Sequence, residues 1–153
     1  ISQAGYNTLA AEVEHLMTIE RPRVVRNVAD AAAEGDRSEN AEYIYGKKRL
    51  RDIDRRVEFL TKRLDIYEVV PLPTQTDRVR LLCWVELESA EGDIQFFRIV
   101  GADETNSDAG EISWKSPVGR ALVGKAVDDE VTVRTPRGVL QYTILSIKLT
   151  KPA

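Results

Sequence analysis

The chain has 153 residues, of which 42% are hydrophobic and 31% charged, and its formal net charge at pH 7 is −3. This composition suits a folded core and argues against a disordered chain. The sequence contains no run of about 18 apolar residues, so it predicts no membrane-spanning helix. His15 and Cys83 are the only histidine and cysteine, which excludes an internal disulfide and argues against catalytic triads and thiolate or imidazole metal cages. We expect a cytoplasmic protein without a signal peptide; the absence of an initiator Met leaves open that residues precede Ile1.

The first 70 residues carry the apolar spacing of two amphipathic helices. The first strip slips at Ile19 and Pro22 and then resumes, and Pro22, which lacks an N–H donor, predicts a kink. The second strip has the 3–4 spacing of a coiled-coil seam. The strips consist of Tyr6, Leu9, Val13, Leu16, Val24, Val28 and Ala32, and of Leu50, Ile53, Val57, Leu60, Leu64 and Tyr67. Only residues 35–38 separate the two helices, so they must fold back into an antiparallel hairpin about 40 Å long.

Residues 71–76, with two prolines and short polar side chains, predict a linker between domains at residues 1–72 and 77–153. Beyond the linker, β-branched and aromatic runs separated by turn residues predict strands. These runs are residues 79–87, 94–100, 131–133 and 139–149. Ser116, Pro117 and Gly124 predict a short capped helix. The fold class is therefore α+β, with a helical hairpin followed by a small antiparallel sheet crossed by one helix.

The turn between the two long helices is acidic. Residues 34–42 hold four carboxylates and one arginine, and Asp36 and Glu39 are three residues apart at the predicted start of the second helix. One helical turn would bring both to the same side. Spacing alone favours a capping box with Asp36 at the N-cap. The alternative is a partial Mg²⁺ site whose remaining ligands belong to a partner, since Mg²⁺ is often held by one or two carboxylates with waters and phosphate.

Residues 47–63 are strongly basic, with eight Lys and Arg against three Asp and Glu. One interpretation is a solvated face with local pairs such as Lys48–Asp52 and Glu58–Lys62. The other is a surface that holds nucleic-acid phosphates, beside which Tyr43 and Tyr45 either stack on a base or pack on the first helix.

Residues 35–43 (GDRSENAEY) and 47–57 (KKRLRDIDRRV) resemble the bacterial Gre transcript cleavage factors, and within that family GreB. The similarity continues through residues 60–62, 83–87 and 97–101, and then through parts of 112–122. It therefore covers nearly the whole chain in order, which a chance motif would not do.

The resemblance implies an N-terminal coiled coil and a C-terminal domain of FKBP-like fold. The C-terminal domain would dock on bacterial RNA polymerase at the mouth of its secondary channel, and the coiled coil would enter. The acids at the turn would help to hold an Mg²⁺ ion of the polymerase active site, and the polymerase would hydrolyse backtracked nascent RNA near its 3′ end. The protein would then be a monomer that is not itself an enzyme, associates with no membrane and binds no cofactor tightly alone.

The resemblance also assigns roles by position. Asp36 and Glu39 match the two acids that would hold Mg²⁺ in the complex, and Ser38 and Asn40 match the polar residues that accompany them. The predicted RNA-binding basic patch consists of Lys47, Lys48, Arg49, Arg51, Arg55, Arg56 and Lys62. The predicted polymerase-docking residues are Ser116, Pro117, Arg120 and Ala121.

Two alternatives stay open. A regulator of the same fold would bind the polymerase channel without inducing cleavage, although the intact Asp36 and Glu39 pair argues against it. A DksA-type factor is disfavoured further, because its zinc cysteines are absent. A peptidyl-prolyl isomerase would need an aromatic pocket; the aromatic residues that either supply one or belong to the core are Trp84, Phe96, Phe97 and Trp114.

Overall fold

The computed structural model describes residues 1–35 and 40–152. Their contacts define two units. The helical unit is Tyr6–Tyr67, and the sheet unit comprises Ile1–Gly5 together with the chain from Glu68 onward. Residues 1–5 join the sheet unit because Ile1 and Ser2 run beside Val70, where the Val70 N–H donates to the Ile1 carbonyl (2.8 Å).

The helical unit contains three α-helices, the first of which begins three residues before Tyr6. Helix α1 is Gln3–His15, α2 is Arg21–Ala33 and α3 is Ala41–Ile66, with a π-helical turn at Leu16–Glu20 between α1 and α2. The first helical stretch (residues 3–33) and α3 run antiparallel, because residues further along the first stretch contact residues nearer the start of α3. These contacts pair Glu12 with Arg56, Glu20 with Arg49 and Ala31 with Asn40. The predicted hairpin is confirmed.

The π-helical turn explains the slip in the first apolar strip. The Arg21 N–H donates to the Leu16 carbonyl five residues back, so the turn holds one residue more than an α-helical turn. Leu16 and Val24, eight residues apart, are therefore both buried, while Ile19 is 54% exposed. Pro22 stands in the first turn of α2, where its missing N–H falls at the junction between the two helix types.

The α3 seam packs as its spacing predicts. Ile53 and Leu60 are fully buried, and Leu50 and Val57 are half-buried. Together with Leu16, Val24 and Val28 on the first helical stretch, the middle of this seam forms the core of the hairpin. The seam also extends to Gly46, which is buried and which the apolar pattern does not reveal.

The sheet unit contains five strands in the order β3-β2-β1-β5-β4. The strands are β1 (Trp84–Ser89), β2 (Ile94–Val100), β3 (Glu111–Ser113), β4 (Glu130–Thr135) and β5 (Gly138–Lys148). All pairs are antiparallel except β2–β3, which is parallel. The α+β fold class is confirmed, but the sheet is mixed rather than wholly antiparallel. Strand β3 has only three residues, too few for a periodic signal.

The other differences from prediction are local. Residues 79–83 form no strand, because Leu82 takes a positive φ of 72° in a turn before β1, although Val79 and Cys83 are still buried. The short helix is present as α4 (Pro117–Leu122), with Ser116 as its N-cap. Over the described ranges 1–35 and 40–152, no helix combines the length and apolar character that a membrane span requires.

Candidate functional site

The acidic turn is described only at its two ends. Asp36, Ser38 and Glu39 lie outside the described residues, so their predicted roles stay predictions. Asn40 is described and is the N-cap of α3: its Oδ1 accepts from the Tyr43 N–H (3.1 Å), and its Nδ2 donates to the Ala31 carbonyl (2.8 Å). One side chain thus joins the end of α2 to the beginning of α3, on either side of the acidic residues.

This geometry corrects the capping-box interpretation. The N-cap of α3 is Asn40, and the residue three positions on is Tyr43 rather than an acid. The expectation that Asp36 and Glu39 lie on the same side concerns residues outside the described ranges and stays a prediction, while α3 as described begins at Ala41. Among the residues that the structure describes, no group of three or more His, Cys, Asp or Glu side chains is placed to hold a metal ion.

Three members of the predicted basic patch are held in ion pairs. Arg56 makes a two-pronged contact with Glu12 of α1, with nitrogen–oxygen distances of 3.0 and 2.9 Å. Arg49 donates to Glu20 (Nε–Oε1, 2.8 Å), and this hydrogen bond raises the pKa of Arg49 above its ordinary value. These two arginines therefore tie α3 to the first helical stretch.

On α3 itself, the predicted pair Glu58–Lys62 is formed at 2.9 Å. The hydrogen bond from Lys62 holds the pKa of the Glu58 carboxyl below its usual range. The other suggested local pair, Lys48–Asp52, is not formed between these two described side chains.

The other four members of the patch face solvent. Lys47, Lys48, Arg51 and Arg55 are exposed, and within the described ranges no carboxylate lies in ion-pair distance of any of them. Arg51 and Arg55 flank Ile53 at two residues on either side, which places them on the face of α3 opposite the buried seam. We call these four residues the outer cations. The structure thus divides a patch that looks uniform in the sequence.

Aromatic residues border the outer cations. Tyr45 is 70% exposed, whereas Tyr43 is half-buried, as expected if one of the two tyrosines packs. Phe59 is a residue that the sequence analysis missed: it is exposed, and the Arg56 and Arg63 guanidiniums lie 5.7 and 4.8 Å from its ring centroid. Its only signal in the sequence is a large apolar side chain off the seam.

The predicted docking segment coincides with α4 and its cap. The Ser116 hydroxyl donates to the Ser113 carbonyl (2.6 Å) and accepts from the Gly119 N–H (3.1 Å), so this side chain holds the start of the helix. Pro117 and Arg120 are exposed, and Ala121 packs half-buried against the core of the sheet unit. Ser116 therefore positions the segment, while Pro117 and Arg120 present its surface.

Comparison with known proteins now decides the family. The family model described as "Transcription elongation factor, GreA/GreB, C-term" matches residues 74–149, and the model described as "Transcription elongation factor, N-terminal" matches residues 1–69. This chain belongs to the Gre family of transcription elongation factors. Gre factors are transcription elongation factors that work with RNA polymerase.

Individual relatives place the chain near GreB. The transcription elongation factor GreB of Haemophilus influenzae is 54% identical over 148 residues, covering 96% of this chain and 94% of that protein. GreB of Yersinia pestis is 52% identical over 149 residues, covering 97% and 87%. The resemblance to GreB is confirmed. The crystal structure of the GreA factor homolog Gfh1 of Thermus thermophilus aligns at a TM-score of 0.43 and 23% identity, covering 96% of both chains.

The aromatic residues suggested for an isomerase pocket do not all meet in this Gre chain. Trp84, Phe96 and Phe97 line one groove of about 420 Å³, but Trp114 is not among its lining residues. Trp84 is only 8% exposed, and the Lys151 ammonium lies 5.9 Å from its ring centroid. Most of the Trp84 ring is therefore buried.

Proposed function

We propose that this Gre factor inserts its helical hairpin into the secondary channel of RNA polymerase and stimulates the polymerase's own cleavage of backtracked RNA. The observation that carries the proposal is the pair of carboxylates, Asp36 and Glu39, in the stretch of sequence between α2 and α3. A hairpin built around one continuous seam suits insertion into a narrow passage. At about 1.5 Å per residue, the 26 residues of α3 extend about 39 Å.

The chemistry needs little from the protein beyond two oxygen donors. Hydrolysis of a phosphodiester by two metal ions uses ions about 3.5–4 Å apart, which activate the attacking water and stabilise the leaving oxygen. Mg²⁺ is held by one or two carboxylates when waters and phosphates supply its other ligands. Asp36 and Glu39 would add such oxygens to an ion held chiefly by the polymerase, so the site would be complete only in the complex.

Asn40 supports this role by what it holds. Its side chain fixes the end of α2 and the start of α3, so both ends of the segment that carries the two acids are anchored. We therefore assign Asn40 a positioning role, and Ser38 and Asn40 retain the proposed role of orienting the acids, the water or the RNA.

Cleavage of RNA in stalled complexes tests the proposed function. Polymerase would be halted in a backtracked register on a template with 3′-labelled RNA, and the protein would be added in Mg²⁺. Release of short labelled 3′ fragments, followed by renewed elongation from the shortened RNA, is the expected result. Binding to polymerase without fragment release would instead favour the channel-binding regulator, and absence of binding would overturn the proposal.

The outer cations provide a prediction about RNA. Reversing three of them, in the variant Lys48→Glu/Arg51→Glu/Arg55→Glu, is expected to lower release of long fragments at least five-fold, because the extruded RNA loses three phosphate contacts. Long-fragment release should also become less sensitive to salt. The slope of log affinity for the extruded RNA against log salt concentration should become less steep by about two. Fragment lengths on sequencing gels, measured from 50 to 200 mM salt, would check both effects.

The control for this variant is Arg49→Glu/Arg56→Glu, which reverses cations that belong to the same predicted patch but are paired. This control should lower the thermal stability of the helices, since it places two carboxylates beside Glu20 and Glu12. The outer-cation variant should unfold at the wild-type temperature. Equal fragment lengths from wild type and the outer-cation variant would count against an RNA role for this face.

A further inference from the structure

The sheet unit has an aromatic groove that includes two residues from the end of its own chain. The groove has a volume of about 420 Å³. Its walls are formed by aromatic side chains, by a turn and by the segment after β5, namely Trp84, Phe96, Phe97, residues 107–110, Lys151 and Pro152. We call it the Trp84 groove.

The Trp84 groove lies beside an open edge of the sheet. Strand β3 covers only Arg98–Val100 of β2, so among the described residues no strand pairs with the first half of β2 on that side. The Arg98 N–H points to that side, since it donates to the Gly110 carbonyl (2.9 Å). Backbone groups alternate between the two sides of a strand, so the Ile94 backbone and the Phe96 N–H also point there. An extended peptide in the groove would find main-chain hydrogen-bond partners at this edge.

The segment after β5 covers Trp84 but is weakly attached. The Lys151 ammonium lies 5.9 Å from the Trp84 ring centroid, which is within the range of a cation–π contact. Trp84 is only 8% exposed. Over the part of the chain that the structure describes, residues 149–152 form no hydrogen bond. A segment that is held by side-chain contacts alone opens more readily than a hydrogen-bonded strand.

Acidic side chains surround the groove. Asp108 lines it, and Glu86 and Glu88 lie on the face of β1 that carries Trp84. The cations on the same face are Lys148 and Arg98, and the charge of Arg98 is matched by an ion pair at 3.3 Å. This balance favours a positively charged ligand and repels the phosphates of nucleic acid.

We propose that the Trp84 groove binds an extended, positively charged, proline-containing segment of a partner protein, and that Lys151 and Pro152 occupy its place in the free chain. A lysine or arginine of the partner would lie over the Trp84 ring, and its proline would lie against Phe96. Aromatic-lined grooves suit proline-containing segments, because these are already extended and lose little conformational entropy on binding. The inference goes beyond the proposed function, since it involves neither the helical hairpin nor α4.

The chain's own Lys151 and Pro152 would then act as a competitor that is always present. The partner binds only when the groove is open, so its apparent dissociation constant is raised in proportion to the closed fraction. Removing the two side chains should therefore tighten binding of an external peptide, whereas removal of an ordinary contact residue would weaken it. This opposite sign is the main test.

Trp84 itself reports whether the groove is covered. Replacing the exposed Trp114 with Phe leaves Trp84 as the only tryptophan. In this background, Lys151→Ala/Pro152→Ala is expected to raise acrylamide quenching of Trp84 fluorescence about two-fold or more, because the ring loses the cation above it. The matched control, Lys125→Ala/Pro136→Ala, removes the same residue types from exposed positions of this unit that do not line the groove. Its quenching should equal that of the Trp114→Phe parent.

Peptide binding tests the ligand class. The probe is a fluorescein-labelled, amidated peptide with the sequence of residues 148–152 (KLTKP), titrated with protein and followed by anisotropy. We expect about five-fold or more tighter binding to Lys151→Ala/Pro152→Ala than to the control variant. Peptides carrying Lys151→Glu or Pro152→Ala should bind the opened variant about five-fold or more weakly than the parent peptide. Adding Asp108→Lys to the opened variant should weaken binding of the parent peptide by a similar factor.

Each outcome decides one part of the inference. Unchanged Trp84 quenching in the Lys151→Ala/Pro152→Ala variant would show that these residues do not cover the ring. Equal peptide affinity for the opened and control variants, or binding to neither, would overturn the groove as a binding site. A Lys151→Glu or Pro152→Ala peptide that binds as tightly as the parent would overturn the ligand class, and displacement of the peptide by single-stranded RNA would overturn the assignment to protein. Cleavage of backtracked RNA is not measured here, so the proposed function stands or fails separately.

Discussion

Replacing Asp36 with Asn, or Glu39 with Gln, is expected to lower the rate of RNA cleavage by about 100-fold at saturating protein, with polymerase affinity changed less than two-fold. The amides keep the size of the carboxyl groups and much of their hydrogen bonding. They lose the negative charge that makes a carboxylate oxygen a strong ligand for Mg²⁺. The measurement is fragment release from a backtracked complex, paired with anisotropy binding to the same polymerase.

Two neighbouring acids serve as controls for charge alone. Glu34→Gln and Glu42→Gln remove the same charge from the two ends of the acidic stretch and should change cleavage less than two-fold. If the Asp36 and Glu39 variants instead lose polymerase binding, or if the control variants lose as much cleavage as they do, the two acids act through folding or general charge. The Mg²⁺ dependence of cleavage provides a second readout, because a site with weaker ligands should need a higher Mg²⁺ concentration to reach the same rate.

Asn40→Ala separates positioning from metal binding. The substitution removes the N-cap hydrogen bond of α3 and the hydrogen bond to Ala31 of α2, and should destabilise the helical unit by about 1 kcal/mol. We expect a smaller loss of cleavage than for Asp36→Asn, and a dependence on Mg²⁺ like that of wild type. Circular dichroism at 222 nm and the cleavage assay would be compared on the same preparation. A shifted Mg²⁺ dependence would assign Asn40 to the ion instead.

The fold was predictable where one local pattern determines burial. The 3–4 spacing of α3 places Ile53 and Leu60 in the core, because a strip of that period faces one neighbour along its whole length. Ser116 and Pro117 mark the start of α4 for an equally local reason, a hydroxyl that caps and a ring that needs no donor. Such features require no knowledge of the rest of the chain.

Features that depend on distant partners were not predictable. Arg49 and Arg55 look equivalent in the basic run, yet Arg49 donates to Glu20 across the hairpin while Arg55 faces solvent. Strand β3 is defined by its parallel pairing with β2, in which Ile112 lies opposite Ile99. The π-helical turn is equally hidden, since the sequence shows that the strip slips but not how the backbone takes up the extra residue.

Two glycines show most clearly what the sequence conceals. Gly46 and Gly119 lie inside helices, where glycine is ordinarily about 1 kcal/mol less favourable than alanine. A Cβ on Gly119 would lie 2.2 Å from the Ser113 carbonyl oxygen and 2.9 Å from the Trp114 Cα. A Cβ on Gly46 would lie 2.5 Å from Cγ2 of Val28. Both positions therefore require glycine for close approach, but against different kinds of neighbour.

Gly119→Ala is expected to destabilise the sheet unit by about 2–3 kcal/mol, because the clash is with backbone atoms that no side-chain rotation relieves. Moving α4 away would also break the Ser116 cap and displace Arg120, so polymerase affinity should fall as well. Both tryptophans, Trp84 and Trp114, lie in the sheet unit. Their fluorescence during urea unfolding therefore reports this unit without a contribution from the hairpin.

Gly46→Ala is the matched substitution, and the comparison tests the physical reason rather than the residue type. The clash at Gly46 is with one methyl group, so Val28→Ala should remove it. The pair Gly46→Ala/Val28→Ala should then be more stable than the sum of the two single changes by about 1 kcal/mol or more, seen at 222 nm. No truncation of a neighbouring side chain can rescue Gly119→Ala, since the Ser113 carbonyl is present in every variant. A Gly119→Ala variant as stable as wild type would show that α4 moves freely and that backbone contact does not hold it.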